Sequence, residues 1–268
     1  MFAHAAVTDL EQQRLRHDQR IARSGFGIAQ ADAGDTRVAL RDWHLRRNGD
    51  VYRAVADSET AAFAFDLGLT PTQPALLQGE AGVSQKGPEP GHTSRYYSEP
   101  QLAVQGTLSL DGRPAAVTGR AWLDHEWSNT YLPPQAVGWD WIGMNLDDGG
   151  ALMAFRMRRA DGSALYAGGS LRRPGQSTRN FGPTEVVFTP GRVWQSPASK
   201  ARYPVRWTIE TPAGRHTVSA LLDAQELDSR GSTGAIYWEG LSELLDDSGQ
   251  RVGQGYLEMT GYATTLRL

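Results

Sequence analysis

The sequence predicts an all-β protein made of short antiparallel strands, and three observations carry that expectation. Glycine is abundant, at 30 of 268 residues. The apolar stretches are short and alternate with polar residues at a period of two. Most are bounded by Asp-Gly, Asn-Gly or Pro/Gly turns, which join neighbouring strands more readily than helices. Many short strands linked by tight turns build sandwiches or barrels.

In chain order, only residues 9–22 have helical spacing, with Leu10, Leu15 and Ile21 among polar residues and a thin apolar stripe. Alternation then predicts strands over 37–45, 51–55 and 62–69, the first two separated by the Asn48-Gly49-Asp50 turn. Residues 79–94 hold Gly82, Gly87, Pro88, Pro90 and Gly91 and read as a long loop, with Lys86 as a solvated charge. Strands follow over 101–110 and 115–122 around Asp111-Gly112. The best internal boundary is Ser128–Gln135, where Pro133-Pro134 interrupts the pattern. Beyond it, strands are predicted at 139–145, 151–157, 164–171, 185–188, 205–210, 216–220, 236–241 and 254–262. Their turns include Asp147–Gly150, Asp161-Gly162 and Pro212-Ala213-Gly214.

Composition narrows the function classes. Net charge is −3 and the pI about 6.1, with basic residues scattered, so nucleic acid and anionic membrane surfaces are not expected partners. No cysteine is present, which removes disulfides, thiolate metal sites and cysteine nucleophiles. No apolar run has the length of a membrane span, and Met1–Asp9 lacks the features of a signal peptide. As written, the chain reads as soluble and unexported, with a cytoplasmic location if this start is genuine. His125-Glu126 has no second histidine at helical spacing, and only His4, His44 and His92 offer a remote metal possibility, so no metal is expected. There is no Gly-x-Ser-x-Gly elbow and no phosphate loop, so no cofactor is expected either.

The chemistry concentrates in Trp122-Leu123-Asp124-His125-Glu126-Trp127 and Gly138-Trp139-Asp140-Trp141. A carboxyl group among indoles has its pKa raised by desolvation and can stay protonated near neutral pH. Water adds to a branched alkene only after such a proton is delivered, and indole faces shelter the resulting cation. Asp124 and Glu126 are the candidate acids, with Asp140 a third. His125 could orient the acid or take back the proton, and Trp127 and Trp141 could face the cation. On a strand, Trp122, Asp124 and Glu126 point one way, and Leu123, His125 and Trp127 the other. The same groups also suit a plain structural role, with indoles filling cores and carboxylates capping backbone N–H groups. Tyr256, Glu258, Thr260 and Tyr262 are expected on one strand face, as are Tyr237 and Glu239, lining a ligand cavity or a seam between domains.

Several blocks together resemble the AttH/carotenoid 1,2-hydratase (hydroxyneurosporene synthase-like, CrtC-type) family. They are Ala3–Asp9, Gln78–Gly87, Tyr96-Tyr97-Ser98, Trp122–Trp127, Gly138–Trp141 and Gly255–Tyr262. The resemblance runs end to end. It implies two consecutive lipocalin-like antiparallel β-barrels, here 1–132, incomplete at its start, and 133–268, and for many members export to the periplasm. It also implies a hydratase-type or hydrolase-type activity on a hydrophobic, isoprenoid-like small molecule, and it favours His125 and Trp127 as site residues. The catalytic group expected is Asp124, His125, Glu126 and Trp127. Trp122, Tyr97, Trp139, Asp140, Trp141, Tyr237, Glu258 and Tyr262 are expected to bind substrate. One departure stands out: the carotenoid-hydrating branch carries a Tyr and an Asp two residues apart where this chain has Met153-Ala154-Phe155-Arg156. A cofactor-independent lyase and a non-catalytic carrier of a lipophilic molecule both fit.

Overall fold

The computed structural model describes residues 1–266, and among these the expectation of an all-β fold holds: the strands are antiparallel and no helix occurs. The last two positions of the expected second domain lie outside the described residues. Contacts between residues divide the chain into two compact units that interleave along the sequence. The first comprises Met1–Gln73, Leu102–Ala121 and Ser229–Gly234; the second comprises Pro74–Gln101, Trp122–Asp228 and Ala235–Leu268. The Leu132/Pro133 boundary read from the sequence falls inside the second unit.

In the first unit, the strands Ala29–Ala31, Arg37–Leu40, Trp43–Asn48, Val51–Ser58 and Phe63–Thr70 pair in sequence order, and Phe63–Thr70 pairs with residues 103–110. Residues 37–45, read as one strand, are two, because Arg41 turns the chain with φ 59°. The segment 9–22, read as helical, is also corrected. It forms the second arm of a hairpin, Phe2–Asp9 with Arg14–Ile21, in which Asp9 pairs with Arg14. The Asp9 carboxylate accepts the backbone N–H of Gln12, and Gln13 takes φ 53°, which closes the turn. What this arm buries is a charge. The Arg16 guanidinium donates to Asp9 at 3.2 Å, to Asp111 at 2.6 Å and to the Ala62 carbonyl, so a buried ion network replaces the apolar stripe a helix would need.

The second unit carries the longer sheet. Its spatial order is Arg179–Phe181, Ala164–Arg172, Ala151–Arg158, Gly138–Leu146, Arg251–Met259, Ala235–Leu245, Gly214–Ala220, Arg206–Thr211 and Val187–Pro190. The first and last long strands of this unit, Gly138–Leu146 and Arg251–Met259, therefore lie side by side at its centre. Every residue of Ala151–Arg158 is buried, as expected for a strand covered on both faces. One face packs a core of Ile142, Met144, Leu152, Trp207, Trp238 and Leu257. The other carries Met153, Phe155, Met157, Trp139 and Trp141, and is covered by Tyr96, Trp122, Leu132 and Ala136. The candidate site lies on this second face.

Candidate active site

Ladder register assembles the floor of the site from residues far apart in sequence. Glu239 pairs with Glu258, Glu258 with Trp141, Trp141 with Phe155, and Phe155 with Gly168, so one row crosses five strands on a single face. The next row holds Tyr256, Gly143 and Met153. Two glycines let the aromatic rings lie against the sheet. A Cβ on Gly143 would stand 2.3 Å from the Trp141 ring and 3.1 Å from that of Trp122, and one on Gly168 would meet Phe155 at 3.0 Å. Gly143→Ala should therefore displace the indole wall and cost about 1–3 kcal/mol, as overpacked cores do. Denaturant unfolding with a wild-type midpoint would count against this reading.

Above this floor lies a cavity of about 180 Å³. Trp139, Trp141, Phe155 and Met157 form its apolar wall, Tyr96 and Tyr131 its phenolic edge, and Lys86, Asp124, Glu126 and Glu258 its ionisable groups. Trp122 backs it, edge-on to Trp141 with centroids 6.3 Å apart. An engineered apolar cavity of about 150 Å³ holds a benzene molecule. The enclosed space thus suits a ring or a short branched chain.

Asp124 is the best-held acid here. Its Oδ1 accepts from the Ser98 hydroxyl at 2.6 Å and from the Trp122 indole at 2.7 Å, and the carboxyl also meets the Tyr96 hydroxyl. Ser98 in turn accepts from Gln78, and Gln78 accepts from Ser170, a chain of three fully buried side chains behind the carboxyl. Asp124 is exposed by surface area where the cavity opens, yet protein atoms crowd its carboxyl closely on the remaining sides. That loss of surrounding water raises its pKa to about 6, against the pull of the Ser98, Trp122 and Tyr96 hydrogen bonds. Gln78→Leu should leave the buried Ser170 hydroxyl without its acceptor. The expected cost is ~1–3 kcal/mol, read by thermal unfolding, and an unshifted transition would contradict the chain.

Glu126 differs from Asp124 because it has a cation. Lys86 Nζ sits 2.8 Å from its Oε1, Ser94 donates to the same oxygen, and the ammonium lies over the Tyr96 and Phe155 rings at 4.7 and 4.4 Å. Lys86, read as a solvated loop charge, is corrected: it is buried, turned inward by the short Val83–Gln85 strand before it. Glu126 and Lys86 form an ion pair at the cavity wall, whereas Asp124 has no such partner among the described residues.

The expected catalytic four are divided between the two faces of their strand. Asp124 and Glu126 line the cavity; His125 and Trp127 are exposed on the opposite side. There His125 Nδ1 meets the Tyr97 hydroxyl at 3.0 Å and its ring lies 5.0 Å from Trp127, which borders a separate open groove of about 460 Å³ beside Arg95 and Asn129. Tyr97 thus belongs with His125, while its neighbour Tyr96 faces the cavity. Among the residues expected to bind substrate, Trp139, Trp141 and Glu258 line the cavity, Trp122 supports it, and Tyr237 sits on the Glu239 face by strand alternation. Asp140 points into the other core. Fully buried, it accepts from Arg156 at 2.6 Å and from Tyr262 at 2.8 Å, a structural ion pair. Tyr262 was expected beside Glu258; Gly261, with φ 73°, breaks the alternation and sends it to Asp140 and Tyr203 instead. His4 packs on His17 and hydrogen-bonds Ser232. Among the described residues no group of three His, Asp or Glu side chains is placed to hold a metal ion.

Sequence reasoning missed Gln78, Tyr96, Ser98, Phe155 and Met157 as site residues. Phe155 and Met157 share the alternating face of a strand that reads as continuous core, and no local signal separates cavity wall from core there.

Comparison with known proteins is consistent along the chain. The family model for AttH-like proteins matches residues 1–262. A Nitrosomonas europaea protein described as an AttH, solved by crystallography, is 48% identical with a TM-score of 0.92, covering 97% of this chain and 81% of its own. Kievitone hydratase from Nectria haematococca superposes with a TM-score of 0.77 at 20% identity, covering 98% of this chain and 80% of its own, a likeness of fold. No protein of curated function matched.

Proposed function

The chain belongs to the AttH-like family, and on that footing we propose that it is a cofactor-independent hydro-lyase. It adds water to, or removes it from, a branched alkene group on a hydrophobic molecule. The observation that carries this is Asp124: a carboxyl with its pKa raised to about 6, held by Ser98 and Trp122 and opening onto an aromatic cavity. Protonation of the alkene by Asp124 leaves a tertiary cation, and the Trp139 and Trp141 indoles around it lower its energy. Hydration needs only a proton and water, and these residues handle both. Kievitone hydratase, of like fold, has hydration in its name, which supports the reaction class. The cavity volume points to a substrate that inserts only its reacting end, an isoprenoid-like tip fitting best. Met153 and Phe155 add apolar surface to the floor, so the proton has to come from the neighbouring wall.

A carrier would need the cavity but not the acid. The decisive experiment incubates the protein with the small alkene amylene in heavy-oxygen water and follows label in tert-amyl alcohol by mass spectrometry. Label should appear with the wild type and not with Asp124→Asn. Binding of the alkene without label would favour the carrier.

A further inference from the structure

Glu239 and Glu258 are directly opposite each other in the ladder, on the face that carries the cavity, and Glu258 lines it. Side chains so paired have Cβ atoms about 4.5–5.5 Å apart, and like charges at that separation repel. Neither carboxyl meets a basic side chain among the described residues; the cation nearest the cavity, Lys86, is taken by Glu126. The groups that face the pair are Asp124 and Glu126 from the strand above, Lys86, Tyr96, Tyr131, Tyr256 and Tyr237, with the Trp139 indole bonded to Glu258. A half-buried, closely crowded acid pair without a cation holds one proton between its members.

We propose that Glu258, supported by Glu239, is the base of the reaction, taking the proton of the attacking water while Asp124 supplies the proton to carbon. This rests on the hydro-lyase reading above. The step balances. The alkene π pair forms the C–H bond with the Asp124 proton. The water oxygen then bonds to the cation, and its surplus proton passes to the Glu258 carboxylate, making the pair doubly protonated. A cavity water then takes the surplus proton from the pair and passes one on to the Asp124 carboxylate, restoring both groups. Burial raises both pKa values, with the Asp124 charge adding at Glu239 and the Glu239 charge adding at Glu258, so Glu258 is a stronger base than an ordinary carboxylate. Glu258 is the catalytic residue here, and Glu239 a positioning residue that tunes it.

Two labels separate the two roles. In heavy water, delivery of a deuteron to carbon followed by loss of a carbon-bound proton back to the Asp124 carboxylate places deuterium in amylene, whereas completed hydration places heavy oxygen in tert-amyl alcohol. Glu258→Gln should keep deuterium incorporation and lose heavy-oxygen incorporation at least about tenfold, a modest general-base contribution. Asp124→Asn should lose both. Glu239→Gln should retain turnover while Glu258 gives up its proton at lower pH than in the wild type, read from the carboxyl bands in infrared titration, since the charge of Glu239 no longer holds that last proton on. Glu258→Gln with both labels intact, or with both lost in step, overturns the proposal, as does an unmoved Glu258 titration in Glu239→Gln. Absence of both labels in the wild type is the distinct signature of a failed hydro-lyase reading.

Discussion

Asp124→Asn should lower turnover by about 10²–10⁴-fold, the usual share of a positioned general acid. The amide retains the shape of the carboxyl and can still accept from Ser98 and Trp122 through its oxygen, so folding should be preserved. The proton is what disappears. Because the folded-state pKa of Asp124 is raised to about 6, the hydration rate of the wild type should fall once pH rises above that value, as the acid form is lost. Stability follows the same proton. An acid whose pKa is raised on folding binds more protons folded than unfolded, so its contribution is greatest below the unfolded pKa and is lost as pH rises through the folded one. Thermal unfolding of Asp124→Asn should accordingly decline less between about pH 4 and about pH 6 than the wild type. A variant that unfolds at ordinary temperature would identify Asp124 as structural, and one with full turnover would remove it from the reaction.

A small cation should bind the cavity on the order of tenfold or more tighter than its neutral isostere, since a single desolvated cation–π contact is worth about 2 kcal/mol. Choline and its carbon analogue dimethylbutanol are a matched pair, both small enough for the enclosed volume. The trimethylammonium group imitates the charge and branching of the tertiary cation, and a site built for the transition state prefers it. Its charge also favours ionised carboxyls nearby, so binding should release protons from Asp124 and the Glu239–Glu258 pair. Calorimetry in buffers of different ionisation enthalpy measures both quantities. Equal affinity for the two ligands, with no proton release, would mean the aromatic wall is ordinary core.

Much of the architecture was legible from local signals. Turns such as Asn48-Gly49 and Asp111-Gly112 lie where hairpins close, at the Asn48–Val51 and Leu110–Arg113 ends of their strands. The hairpin at the start was not legible, because the group it buries is the Arg16 guanidinium, and a buried ion network has no hydrophobic period to read. Gly261 shows the opposite limit. Alternation assigns Tyr262 to the Glu258 face until one residue with positive φ reverses it. Lys86 could not be recognised as buried, since its partners Glu126, Tyr96 and Phe155 come from three separate segments.

The sequence by itself determined the fold class, the family, and which side chains of the Trp122–Trp127 strand could act together, because alternation is a local property of an extended chain. Only the tertiary structure decided which face of that strand is the cavity, so that Asp124 and not His125 meets it. It also decided that Asp140 is paired with Arg156 while Glu258 and Glu239, opposite each other, meet no basic side chain among the described residues. Whether a carboxyl is paired, and so whether it gives up its proton at neutral pH, depends on neighbours that ladder register brings from distant strands, and no stretch of sequence contains that register.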